Sequence, residues 1–188
     1  MLRALASLFF YSRFYTRFSR VGWRRRQRDW HPYPERLDGQ AWLVTGASGG
    51  IGAAIAGMAH ARGARVLAAA RSPDKLAALV RTAGAPGRMV PLRVDFASLA
   101  DTRRLVQELT ARGERIDVLV NNVGLLLDRF ELTPEGLETS FVTNLLSHYV
   151  LTEGLRAAGR FADGAAVVNM SSGGMYGAPL RLAEMAAT

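Results

Sequence analysis

The chain has 188 residues, 49% of them hydrophobic and 21% charged, with 19 glycines, no cysteine and a formal net charge of +8. That length and composition suit one globular domain with its own core and exclude a disordered chain. The lack of cysteine excludes a disulfide framework or a thiolate metal site and agrees with a reducing, cytoplasmic setting, while His31, His60 and His148 are too scattered to suggest a metal cluster.

The charge sits at one end. Residues 1–28 hold eight arginines and no acid, and the remaining residues hold equal numbers of basic and acidic groups. A neutral body without a basic working face speaks against nucleic-acid binding. Within the leader, Arg13, Arg17, Arg20 and Arg24 recur at helical spacing, and Phe10, Phe14 and Phe18 form a second stripe. An aromatic face beside an arginine face fits a membrane interface, so residues 1–28 are a candidate membrane-surface contact. Packing the aromatics on the domain with the arginines in water accounts for the same stripes, and both readings stay open. The apolar stretch Ala4–Tyr11 is too short to span a bilayer, and no small-residue cleavage pattern follows it. His31-Pro32-Tyr33-Pro34 ends the helix, which divides the chain into a leader over residues 1–34 and a domain over 35–188.

From Gly39 onward the pattern alternates. Apolar runs at Ala41–Val44, Arg65–Ala70, Met89–Val94, Ile116–Val120 and Ala165–Met170 predict five strands. Between them the spacing predicts helices up to His60, over Pro73–Arg81 and Leu99–Arg112, and a long one over Pro134–Leu155. Strands apolar throughout, separated by helices, predict an α/β fold of three αβα layers: a doubly wound parallel sheet of Rossmann type. Ligands of such sheets sit at the carboxyl ends of the strands, where the strand order reverses.

The turn after the first strand reads Thr45-Gly46-Ala47-Ser48-Gly49-Gly50-Ile51-Gly52. Glycines between a strand and a helix let the backbone approach a pyrophosphate, and the helix then offers its amide groups and positive end to the phosphates.

With this turn the sequence resembles the short-chain dehydrogenase/reductase family. The family's Thr-Gly-x-x-x-Gly-Ile-Gly pattern matches at Thr45, Gly46, Gly50, Ile51 and Gly52, with Ser48 and Gly49 inside the turn. Its Asn-Asn-Ala-Gly motif appears as Asn121-Asn122-Val123-Gly124, and its adenine-contacting aspartate matches Asp95. Its catalytic asparagine and serine match Asn144 and Ser172. Glu131–Glu138 and the stretch through Tyr149-Val150-Leu151-Thr152 are similar to the retinol-dehydrogenase-like branch. The resemblance implies a seven-stranded sheet, a nicotinamide cofactor and a small alcohol or carbonyl substrate of lipid-like character; it sets no oligomeric state. Where NAD-dependent relatives carry an acid after the second strand, this chain has Ala70 followed by Arg71, which favours NADP(H) because arginine suits a 2′-phosphate.

The family's acid/base pair, Tyr-x-x-x-Lys, is not found. The nearest family spacing would put the tyrosine at Met185 and the lysine one position past residue 188, and the single lysine, Lys75, belongs to the helix after the second strand. Lys75 is expected in solvent, and His148, one turn past Asn144, is expected to pack rather than act as a base. With five strands of seven, the chain reads as an incomplete one that binds a dinucleotide but does not turn over efficiently.

Overall fold

Five apolar runs, each too short for a helix of useful length, can bury both faces only inside a sheet covered on both sides. The computed structural model describes residues 19–30, 34–84 and 87–172 together with Ser12, Tyr15 and Pro32. It divides into two compact units, one holding the described residues up to Pro34 together with Ser172, the other holding the described residues of Glu35–Ser171.

In the first unit, α1 (Arg20–Gln27) starts at Ser19, whose hydroxyl accepts from Val21 N at 3.2 Å, and carries Arg24, Arg25 and Arg26 in its last turn. Cations there complement the negative end of the helix. Trp23 and Trp30 meet edge to face at 6.2 Å. The expected stripes rest on Phe10, Arg13, Phe14, Arg17 and Phe18, which lie outside the described residues. Among the described residues no helix is long and apolar enough to cross a membrane.

The second unit is one parallel sheet of β1 (Ala41–Thr45), β2 (Arg65–Ala70), β3 (Met89–Arg93), β4 (Ile116–Asn121) and β5 (Phe161–Asn169). The strand order is β3-β2-β1-β4-β5, so the chain reverses direction across the sheet between β1 and β4. Two cores result. On one face α2 (Gly50–Ala61) and α3 (Pro73–Ala83) bring Ala56, Ala59 and Leu76 against Val44, Val66, Ala68 and Val120. On the other, α4 (Leu99–Ala111) contributes Leu105 and Leu109, and the helix before β5 contributes Leu151 and Leu155, against Leu43, Leu67 and Leu119. This is the doubly wound three-layer fold that the alternation predicts. Pro91 stands in β3, an edge strand, where a missing N–H costs no ladder bond.

Two elements differ from expectation. The long helix does not begin at Pro134. Residues Thr133–Leu137 form a tight turn, with Gly136 N donating to Thr133 O and Thr133 N to Leu137 O, and Leu132 bridges Glu138. The helix starts as α5 (Thr139–Phe141), where the Glu138 carboxylate accepts from Ser140 N and Phe141 N. It passes through a π-helical turn (Val142–Leu146) and continues as α6 (Ser147–Ala157). Both nearby acids serve as caps: beside Glu138, Glu135 reaches across to Leu99 N at 3.0 Å at the start of α4. Strand β5 begins earlier than its apolar run. Ile116 pairs with Phe161 but Val118 with Ala166, so β5 carries a bulge, and Gly164 turns it at a φ of +74°.

Leu43 lies in the central strand with no exposure. Leu43→Ala should therefore cost about 2–5 kcal/mol of unfolding free energy, read from the urea midpoint at constant m-value.

Candidate functional site

The strand order places the loops after β1 and β4 side by side, and one buried hydroxyl joins them. Thr45 Oγ1 accepts from Asn122 N and Val123 N, each at 2.9 Å, and donates to Val120 O at 3.3 Å. The Asn122 amide returns the contact by donating to Thr45 O at 2.9 Å. This clamp explains two of the glycines. A Cβ on Gly46, which has a φ of +67°, would lie 3.0 Å from Asn122 Nδ2. One on Gly52 would press into Gly46 O and come within 2.5 Å of Asn122 Nδ2. Gly49 and Gly50 are different: a Cβ there meets nothing within 4 Å. They border open space at the start of α2, which has no side-chain cap and no acid in its first turn. The amides and positive end of that helix are thus left for an anion. Ile51 points outward at 62% exposure.

Beside this cradle lies a cavity of about 210 Å³. Gly46 and Ser48 border it on one side, Ala70, Arg71 and Ser72 at the end of β2, and Val94, Asp95 and Phe96 past β3. Val123, Gly124, Leu125 and Thr143 close it from the β4 side. Asp95 is held in place, since its amide donates to Asp101 Oδ2 at 3.1 Å and its own Oδ1 accepts from Ala97 N at 3.0 Å. Thr143 is 3% exposed, and its hydroxyl has no protein partner. The open glycine cradle and the uncapped helix together fit a dinucleotide.

The residues expected at the site do not all lie together. Gly46, Ser48, Arg71, Asp95 and Gly124 line the cavity, and Gly49 and Gly50 form the cradle. Asn121 is not on the cavity wall: its amide donates to Thr152 Oγ1 at 3.1 Å and Asn169 Oδ1 at 2.8 Å, tying β4 to α6 and β5. Asn144 is spent on the loop after β4, accepting from Leu125 N and donating to Leu125 O, each at 2.8 Å. Ser172 lies past β5 and falls in the other compact unit. Lys75 is exposed, as expected, yet also borders the cavity. Thr143 and the Thr45–Asn122 clamp were not singled out as site residues, although Thr45 and Asn122 stand inside the matched motifs. Among the described residues no group of acids and histidines could hold a metal ion.

His148 packs behind the loop after β4. Burial pushes its imidazole below the usual range, partly offset by a bond with the Val123 backbone. A folded chain that refuses a proton loses stability wherever the unfolded chain accepts one. Stability should therefore fall as the pH drops below about 6.5. In His148→Gln the slope should flatten by up to ~1.4 kcal/mol per pH unit, measured by urea titrations between pH 5 and 7.5. The glycines give a second test. Gly52→Ala should lower stability by about 1–3 kcal/mol through its clash, whereas Gly49→Ala should stay within roughly 0.5 kcal/mol of the parent, both read by thermal unfolding.

The comparisons agree with this geometry. The family model "short chain dehydrogenase" matches residues 40–183. Retinol dehydrogenase 14 of Mus musculus is 33% identical over 63% of this chain and 40% of its own length. Dehydrogenase/reductase SDR family member 12 of Bos taurus is 30% identical over 84% of this chain and 51% of its own. The crystal structure of a short chain dehydrogenase from Burkholderia cenocepacia J2315 in complex with NADP aligns with a TM-score of 0.59 and 32% identity, covering 70% of this chain and 55% of that one. The chain spans about half the length of these relatives or less. By sequence and by fold, it belongs to the short-chain dehydrogenase/reductase family, on the retinol-dehydrogenase-like side.

Proposed function

We propose that residues 35–188 form the nucleotide-binding part of an oxidoreductase that uses NADP(H) and interconverts an alcohol and a carbonyl on a small, lipid-like substrate. The observation that carries this reading is the glycine cradle at the strand-order reversal, opening onto a cavity edged by Arg71 and Asp95. The Burkholderia relative, solved with NADP, supports the cofactor class. Retinol dehydrogenase 14, by its name, supports a small apolar alcohol.

The roles follow from position. Gly49, Gly50 and the amides of the first turn of α2 would hold the pyrophosphate. Asp95 would offer a polar partner to the adenosine between the apolar walls of Val94 and Phe96. Arg71 would bind the 2′-phosphate, for which a guanidinium fork is suited and a carboxylate is not. Bound there, the dinucleotide supplies or accepts the hydride. The protein's part is to orient the cofactor and exclude water, and Asn144 serves that by fixing the loop at Leu125. Ser172 would hydrogen-bond the substrate oxygen.

A carbonyl oxygen that gains a hydride at its carbon also needs a proton. The Tyr-x-x-x-Lys pair that would provide it is not among these 188 residues, and Lys75 lies on the cofactor side. The reading therefore assigns dinucleotide binding without efficient turnover to these residues. Calorimetric titration of the 188-residue chain should show tighter binding of NADPH than of NADH. In Arg71→Ala the preference should shrink by about tenfold or more, the worth of a charge-assisted bond. Tighter NADH binding by the parent would overturn the cofactor assignment. NADPH-dependent carbonyl reduction by this chain would overturn the division between binding and turnover.

A further inference from the structure

A second cavity, of about 540 Å³, adjoins the first on the far side of Arg71, and three arginines, Arg71, Arg93 and Arg104, face it with Asp95 and Asp101. Arg71 and Asp95 line both cavities. The register brings the arginines together: Arg93 ends β3 opposite Ala70 on β2, and Arg71 is the next residue after Ala70. The three guanidiniums are not equivalent. Arg104 sits 3.2 Å from Asp101 and 3.9 Å from Glu108, and so is already paired. Among the described residues neither Arg71 nor Arg93 has an ion-pair partner.

The two carboxylates on the wall do not fill that need. Asp101 is taken by Arg104 and by the amide of Asp95, and Asp95 Oδ1 is taken by the amide of Ala97. Their charge lowers the local potential, but Asp101 and Glu108 are engaged by Arg104, so Asp95 is the one lining carboxylate, among the described residues, that faces Arg71 and Arg93 without an ion pair of its own. Two unpaired guanidiniums at neighbouring strand ends repel one another until an anion lies between them. Because Arg71 and Asp95 line both cavities, a ligand seated in the first can extend an anion past Arg71 into the second. A phosphate on the ribose does so by its covalent attachment.

We propose that Arg93 is a second ligand of the dinucleotide's 2′-phosphate, acting with Arg71 as a two-arginine clamp, and that Arg104, held by Asp101, forms its back wall. This rests on the NADP(H) reading above. Its new content is that selectivity for the phosphate is shared between two strands and is not carried by Arg71 alone.

Adenosine 2′,5′-bisphosphate and 5′-AMP separate the two ideas, because they differ only in the 2′-phosphate. Titration calorimetry on the 188-residue chain should show the bisphosphate bound at least tenfold tighter. Arg93→Gln should reduce that ratio by about tenfold, as expected for one charge-assisted bond, with 5′-AMP affinity unchanged and part of the ratio restored in Arg93→Lys. Equal binding of the two nucleotides by the parent overturns the NADP(H) reading itself. A parent preference that survives intact in Arg93→Gln leaves that reading standing and overturns the clamp. Loss of both nucleotides together in Arg93→Gln means that Arg93 supports the pocket as a whole, which also overturns it.

Discussion

One buried hydroxyl governs the site. In a doubly wound sheet the chains leaving β1 and β4 turn to opposite faces, and the crevice between them is where a ligand enters. Thr45 ties these two exits together by accepting two backbone N–H groups of the β4 loop while donating to Val120 O. A buried amide left without a partner costs about 1–3 kcal/mol, so the crevice keeps its shape only while that hydroxyl is present. The clamp also divides the glycine turn by purpose. Gly46 and Gly52 are small because Asn122 lies against them, whereas Gly49 and Gly50 are small where no protein atom comes near. Gly50 also serves the turn, since its φ of +53° favours glycine whatever the space, and of the four only Gly49 meets neither a contact nor a left-handed backbone.

The far wall depends on a comparable exchange. Asn144 presents both amide groups to Leu125, mimicking a strand partner, and so fixes the loop in which Gly124 and Leu125 border the cavity. It does this from a π-helical turn, a wide turn that often marks functional positions. The same turn brings Thr143, with its unpartnered hydroxyl, to the cavity wall. Asn121 performs the same service one layer deeper, joining β4 to α6 and β5. All three asparagines after and opposite β4 are thus first of all positioning residues.

How much of this was legible depends on whether the signal is local. Strand β2 runs over the residues its apolar run predicts, because a buried parallel strand must be apolar throughout. Helix starts are harder. Pro134 and Glu135 read as a first helical turn, but Glu135 caps α4 from a distance and Glu138 caps α5 instead, and only tertiary contact decides which helix an acid serves. The start of β5 is hidden for a similar reason: its first residues, Phe161–Gly164, include an acid and a glycine and pair only by way of a bulge. Around the cavity, the positions of the glycines and of Arg71 follow from the motif spacing and from the end of β2. Thr143 was not, since a threonine in a helix gives no sign of whether its hydroxyl has a partner.

Charge shows the same limit most clearly. By count residues 29–188 are neutral, which argues against a basic working face. Neutrality of the sum does not extend to each place, because the structure spends its acids locally. Asp117 accepts from Ala41 N, Glu114 pairs with Arg65, Glu153 with Arg156, and Glu108 with Arg112. Each carboxylate committed to a cap or a pair elsewhere is one not available at the carboxyl edge of β2 and β3. There Arg71 and Arg93 stand beside carboxylates already bonded to backbone amides or to Arg104. A chain whose residues 29–188 sum to zero charge can therefore still gather three arginines around one recess, and that recess shares Arg71 and Asp95 with the cavity beside the glycine turn.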